Sequence, residues 1–353
     1  MTINDKYSSG EIVFSRNAGD LEVTEAGSDA VSIGVYVDSV LQVEFSVMPI
    51  GGKVILRLSD ILEACSAGRL MAFAMRSSVY TLPVVKITIG GLSWSHPVIF
   101  GREPSDKDID KYDFLTRRPE TCQTFADGAE LAASLWSVAL AGTGTMLMAE
   151  IRFAVGLPVT VTLPPSLALP STRGSLLARI CCSYSDILAA AVSAGREDEP
   201  IVGWSVWVKR TALDTSGVFV TTSGEKQNFV MRTGLHHTYI FRNTYGTFDT
   251  IYATGSKVVS SDGDVFTFIN GGVESELGNA ALRYVEQNTG YISSRGYARF
   301  WLDFIQSAER YIYEDGEAHR IIVDENDAKV TEGELSSFKF KWHYADRNND
   351  YKI

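Results

Sequence analysis

The sequence predicts a mainly β protein: two tandem related β-sandwich-like domains (1–120 and 121–256), each with one short helix, then a small C-terminal α+β domain (257–353). Three observations predict it. Apolar residues alternate with small or polar ones at the two-residue period of strands through most of the chain. The segment Ser59-Asp60-Ile61-Leu62-Glu63-Ala64-Cys65-Ser66-Ala67-Gly68 returns 126 residues later as Ser185-Asp186-Ile187-Leu188, ending in Ser193-Ala194-Gly195. One strongly amphipathic helix is legible, and it lies near the C-terminus. At 353 residues the chain exceeds what one core comfortably serves.

Along the first domain, Val31–Val37 places apolar residues at odd positions and small ones at even positions, the pattern of a half-buried strand. Leu41–Val47 repeats it. Pro49 and Gly51-Gly52 turn the chain into a strand over 53–58 with Val54, Leu56 and Leu58 on one face. Ser59 reads as the N-cap of a short helix, with Asp60 and Glu63 near its positive end and Gly68 as its stop. Strands follow over 70–75, 79–82 and 84–89, with turns at Gly90-Gly91 and at Pro97. The charged stretch 102–119 reads as a loop or linker.

The second domain runs through strands over 146–155 and 157–163, and Pro164-Pro165 takes the place Pro49 held before. A strand over 176–182 leads into the second helix at Ser185, stopped by Gly195. Strands over 201–208, 218–222 and 227–232 follow, then a hairpin joining 237–243 to 248–253 through Thr244-Tyr245-Gly246-Thr247. In the last domain, Tyr297, Phe300, Trp301, Phe304 and Ile305 fall at helical spacing within 294–307. Asp315-Gly316 marks a hairpin turn. Phe338, Phe340, Trp342 and Tyr344 alternate with Lys339, Lys341 and His343, a two-sided strand.

Composition narrows the function classes. Net charge is −11, which argues against a binder of nucleic-acid backbone. Residues 1–49 carry two basic residues against eight acidic ones, a solubilising surface. No apolar run approaches 18 residues, and the start lacks a basic and apolar leader, so neither membrane span nor signal peptide is expected, with synthesis and folding in the cytoplasm. The four cysteines (Cys65, Cys122, Cys181, Cys182) show no zinc-ligand spacing, and reduced thiols are expected.

No catalytic motif stands out. There is no G-x-S-x-G elbow, and Gly142-Thr143-Gly144-Thr145 lacks the lysine of a phosphate loop. Five scattered histidines (His96, His236, His237, His319, His343) give no metal spacing. Asp262-Gly263-Asp264 and Asp324-Glu325-Asn326-Asp327 look like calcium loops, but neither has a glycine and a terminal glutamate at the spacing of one, and both read as turns. The expectation is therefore no enzyme, no cofactor and no metal site. Exposed aromatics are the remaining candidates for partner or glycan contact: Trp204 and Trp207, three apart on a strand, and Tyr245 and Phe248 at a hairpin tip.

The order of parts adds a resemblance. Met48-Pro49 and the Ser-Asp-Ile-Leu unit come first; then the turn Phe241-Arg242-Asn243-Thr244-Tyr245-Gly246-Thr247-Phe248-Asp249-Thr250; then Asn288-Thr289-Gly290-Tyr291-Ile292, Trp301-Leu302-Asp303-Phe304-Ile305-Gln306-Ser307, Phe338-Lys339-Phe340 and Asp346-Arg347-Asn348. Together these are similar to uncharacterised virion- or tail-associated β-sandwich proteins of phages and prophages of Bacteroides-type bacteria, above all over 237–349. The resemblance implies a structural part of a tail or baseplate in the virion, a homo-oligomer contacting other tail proteins and host surface glycan, and it brings no catalytic residues. A carbohydrate-binding module or cell-surface adhesin is the second expectation, and a β-sandwich hydrolase the third.

Overall fold

The computed structural model describes residues 1–8, 10–65, 78–102, 114–115, 121–126, 135–138, 144–163, 176–180, 184–213, 219–223, 226–243, 248–262, 265–270, 273–279, 282–292, 294–328 and 337–346. Outside them lie the expected strand over 70–75, the Gly68 stop, Cys181 and Cys182, Tyr245, and most of the stretches 102–119 and 347–353. The protein is mainly β, with three α-helices among the described residues: α1 (Leu58–Ala64), α2 (Tyr184–Ser193) and α3 (Arg295–Gln306).

Buried apolar side chains gather into three clusters, spanning Val13 to Phe100, Cys122 to Phe229 and Tyr239 to Tyr344. In the first, a five-stranded sheet and a three-stranded sheet share one core. Val31, Ile33, Val35 and Val37 come from the larger sheet, and Leu21, Val23, Val54 and Leu56 from the smaller. The odd-position alternation of Val31–Val37 thus points inward, as its sequence predicts.

The strand order reveals a repeat much longer than the Ser-Asp-Ile-Leu echo. In the larger sheet of the first unit, Val13–Phe14 runs parallel to Leu92–Ile99. Then come Val84–Ile89, Val31–Val37 and Val40–Val47, each antiparallel to the last. In the second unit, Thr121–Phe125 runs parallel to Gln227–Arg232. Ile201–Leu213, Gly144–Phe153 and Val159–Leu163 follow, again antiparallel. The smaller sheets match as well. Thr2–Asn4, Asp20–Thr24 and Val54–Arg57 pair in that order, as do Phe114–Leu115, Leu135–Val138 and Leu176–Ile180.

Each smaller sheet's last strand precedes the unit's helix, and the helix starts, Leu58 and Tyr184, stand 126 residues apart, as the echo does. Two such coincidences of order and direction need one duplicated path, because hydrogen-bonded order is set by the whole chain and not by a tetrapeptide.

Several local expectations are corrected. Helix α1 starts one residue before Ser59, with Arg57 at the cap position and no side-chain cap, so Ser59 is helical. The echoed tetrapeptide also packs differently in the two units: Leu62 is the buried member in α1 and Ile187 in α2, while Leu188 is exposed. Pro97 is not in a turn. It lies within the strand Leu92–Ile99, opposite Val84, and the next amide, of Val98, donates to the Pro83 carbonyl at 2.9 Å. Asp324 and Glu325 are not in a turn either, but at a register shift within the strand Glu317–Asn326.

The third core reaches back to residue 237 instead of starting at 257. The hairpin His237–Arg242 and Phe248–Ala253 belongs to a seven-stranded antiparallel sheet, ordered Phe248–Ala253, His237–Arg242, Arg310–Glu314, Glu317–Asn326, Lys339–Tyr344, Leu282–Asn288 and Lys257–Asp262. Helix α3 is capped by the Ser294 hydroxyl, which accepts from the Tyr297 amide at 3.2 Å. It packs Phe300, Trp301 and Phe304 against Tyr239, Phe241, Phe338 and Phe340, with edge-on ring contacts between 5.3 and 5.8 Å. That geometry suits the ring quadrupoles. Asp315 and Gly316 both adopt positive φ, as a two-residue hairpin turn requires.

Candidate interaction surface

Of the residues singled out as contact candidates, Trp204, Trp207 and Phe248 lie inside, and Tyr245 falls outside the described residues. Trp204 is fully buried, stacked on Phe229 at 5.5 Å and beside Tyr184 at 6.0 Å. Trp207, on the opposite face of its strand, is also buried, with the Lys226 ammonium 4.5 Å over its ring and Glu150 holding that ammonium at 3.2 Å. Phe248 is fully buried under Arg242, whose guanidinium lies 4.6 Å above the ring. Spacing in sequence shows which face a strand residue takes, but whether another layer covers that face is a tertiary matter.

The motifs that carry the resemblance are structural joints. The Asn243 amide donates to the buried Asp249 carboxylate at 2.9 Å, closing the hairpin. Thr289 and Phe338 exchange backbone bonds through the Thr289 amide, which donates to the Phe338 carbonyl at 3.0 Å, and the Thr289 hydroxyl accepts from the Phe338 amide at 3.2 Å. Gly290 has φ +78°, and an added Cβ would sit 2.1 Å from the Thr254 hydroxyl. Only glycine fits there.

The ionisable clusters are likewise closed on themselves. His96, buried, sets one ring nitrogen 2.9 Å from Asp5 Oδ2 and the other 3.1 Å from the Glu11 carbonyl, so neither faces a nucleophile. Asp5 also accepts from the Trp94 indole at 3.2 Å and from the Tyr7 amide at 3.0 Å, fastening the N-terminal segment to the sheet. Glu314 accepts from Lys257 at 2.7 Å and from the Tyr344 hydroxyl at 2.8 Å. Burial would raise its carboxyl, but these two bonds outweigh burial and hold it below the usual carboxylate range.

Glu309, bound by Arg242 at 2.7 Å and Tyr311 at 2.5 Å, is lowered in the same way against the effect of burial. Burial first, then the hydrogen bond to Glu309, pushes Tyr311 up to about 12. Nearby, burial and then Lys257 lower His237. Among the described residues, no three His, Cys, Asp or Glu side chains converge to hold a metal ion. Cys65 and Cys122 are buried thiols.

What the surface does offer is open sheet edge. The hairpin Val31–Val37 and Val40–Val47 turns through Asp38 and Ser39, both at positive φ. Asp38 anchors that turn, its amide donating to the Val84 carbonyl at 2.9 Å and its carboxylate accepting from the Val84 amide at 2.9 Å. Among the described residues the second strand is the last of its sheet. Its alternation predicts a half-buried strand, yet Val40, Leu41 and Val43 are 60, 48 and 46% exposed. In eight residues it carries one charge, Glu44, and no proline or lysine, the residues that ordinarily protect an edge.

The matching strand of the second unit, Val159–Leu163, also ends its sheet among the described residues and carries no charge. Beside it, a groove of about 460 Å³ runs along α2, walled by Thr160, Thr162, Ala189, Ala190 and Ser193. Sequence reasoning found both strands but could not identify them as edges, because edge status depends on which strands pair elsewhere.

No family model matches the chain, and no curated protein matches it. Among solved structures it is similar to one described as "Ca2+-stabilized adhesin helps an Antarctic bacterium reach out and bind ice", with 12% identity over 83% of this chain and 69% of that one. The TM-score of that match is 0.19, which carries no argument about fold or function.

Proposed function

We propose that this chain is a non-enzymatic structural and binding component of a phage or prophage tail or baseplate, making contacts through its sheet edges. The observation that carries the reading is the pair of matched edge strands, one on each repeated unit: Val40–Val47, with Glu44 as its single charge, and Val159–Leu163, with none. Unpaired amides and carbonyls on an apolar edge favour addition of a strand from a neighbour. The resemblance over 237–349 supports the particle setting, and the joints found at its motifs suit a part selected for holding shape. A homo-oligomer joined at these edges follows from the same chemistry.

A second reading, a glycan-binding module, draws on half-buried side chains of the seven-stranded sheet, on the face away from α3. There Tyr284 lies beneath the Lys341 ammonium at 4.2 Å and edge-on to His343 at 5.7 Å, a ring and cation of the kind that meets sugar faces. Mass spectrometry of purified particles tests the first reading: the chain should be present at fixed stoichiometry, and its absence from clean particles refutes the assignment. A glycan array probed with the intact chain tests the second.

A further inference from the structure

The two repeated units follow the same path except for two added strands in the second: Phe219–Ser223, which pairs with Ile201–Leu213 in the larger sheet, and one in the smaller sheet. In the second unit the smaller sheet has a fourth strand, Ser78–Thr81, supplied by the first unit. It lies antiparallel along Leu176–Ile180, with Thr81 opposite Leu176 and Ser78 opposite Arg179. In the first unit the corresponding strand, Val54–Arg57, pairs with Asp20–Thr24 on one side and ends its sheet. Among the described residues nothing pairs with its other side. The repeat therefore leaves one slot filled and its counterpart open.

We infer that the open edge of Val54–Arg57 is an acceptor slot for an extended, uncharged, β-branched segment of another polypeptide, running antiparallel to it as Ser78–Thr81 runs along Leu176–Ile180. Three features support this. Val54 and Leu56 are buried in the core while Ile55 is 61% exposed, so an apolar side chain stands unpartnered on the outer face of this short strand. Ile50, 86% exposed, and Met48 extend that apolar surface through the preceding turn, which is held by the Ile50–Lys53 bridge.

The strand is also rigidly backed. It leads straight into α1, and Lys53 is fixed to Glu22 at 2.6 Å. A preformed edge accepts a strand without reordering the acceptor. A second copy is a poorer occupant than a different protein. The segment that fills the matched slot, Ser78–Thr81, is already committed within its own chain, so a second copy has no equivalent to give. The inference stands apart from the particle assignment.

The test uses the full chain and a synthetic peptide of residues 77–83, capped at both ends and containing the segment that fills the matched slot, with amide hydrogen exchange read residue by residue. Saturating peptide should slow exchange at Val54–Arg57 roughly tenfold or more, since an added strand gives outward amides new partners. A peptide N-methylated at alternate residues should lose the effect. Ile55→Asp should abolish it while the thermal midpoint of the chain stays unchanged. No slowing at millimolar peptide, or equal slowing by the N-methylated peptide, overturns the inference. Slowing at Val54–Arg57 that grows with protein concentration in the absence of peptide would assign the slot to a second copy and overturn the choice of occupant.

Discussion

Gln287 offers the sharpest test of how the third core is held. Its side chain is fully buried. The amide nitrogen donates to the Asn288 carbonyl at 2.8 Å and the Gly255 carbonyl at 3.1 Å, and the amide oxygen accepts from the Tyr239 hydroxyl at 3.2 Å. One side chain thus ties the strand Leu282–Asn288 to the turn before Lys257 and to the hairpin beneath α3. Gln287→Leu keeps most of the volume and removes these three bonds, together with a longer fourth to the Ser256 carbonyl at 3.4 Å. Each buried polar group deprived of its partner costs about 1–3 kcal/mol, and part is recovered by leucine burial and by carbonyls that keep backbone donors, so we expect a loss of about 2–4 kcal/mol.

A chain with three cores need not unfold in one step. The assay is therefore urea denaturation followed by near-ultraviolet circular dichroism, together with hydrogen exchange at Tyr239 and Val285, which reads the third core directly. Exchange there should accelerate while amides of the first core, such as Ile87, are unaffected. A loss under about 0.5 kcal/mol, the range of ordinary surface substitutions, would refute the claim that this amide organises the joint.

Gly290→Ala should destabilise the third core more than Gly91→Ala destabilises the first: both glycines have positive φ, but only at Gly290 would the new Cβ collide, 2.1 Å from the Thr254 hydroxyl, while Gly91 has nothing within 4 Å. Denaturation midpoints of the two variants give the comparison, with about 1–2 kcal/mol expected at Gly91 for the backbone alone. Glu309 and Glu314 have folded-state values below their unfolded ones, so their contribution is present above the ordinary carboxylate range and is lost as pH falls through the folded values. His237, lowered from 6.5, adds in the same direction as pH falls below its unfolded value. Acid titration of third-core stability should thus fall steadily below about pH 6.5, and Glu314→Gln should flatten the lowest part of the curve. Val43→Lys places a charge on the exposed edge strand, and it should reduce self-association in sedimentation velocity without moving the thermal midpoint, since Val43 is half-exposed.

Much of the architecture was legible in the chain. Alternation in Val31–Val37 and in Phe338 to Tyr344 identified faces that are indeed buried, because a strand's two faces are fixed by its own backbone. The spacing of Tyr297, Phe300, Trp301 and Phe304 identified α3 and its buried stripe for the same local reason, and Asp315-Gly316 named its own turn. The echo at Ser59 and Ser185 pointed to duplication. Tertiary structure decided the rest. Leu41–Val47 alternates as cleanly as its neighbour but lies open at an edge, and Trp204, Trp207 and Phe248 are covered by layers from elsewhere in the chain. The loan of Ser78–Thr81 to the second unit left no trace in its sequence. Which strands pair, and which edge stays vacant, is settled between residues as far apart as Thr121 and Asn228, and no local pattern encodes that choice.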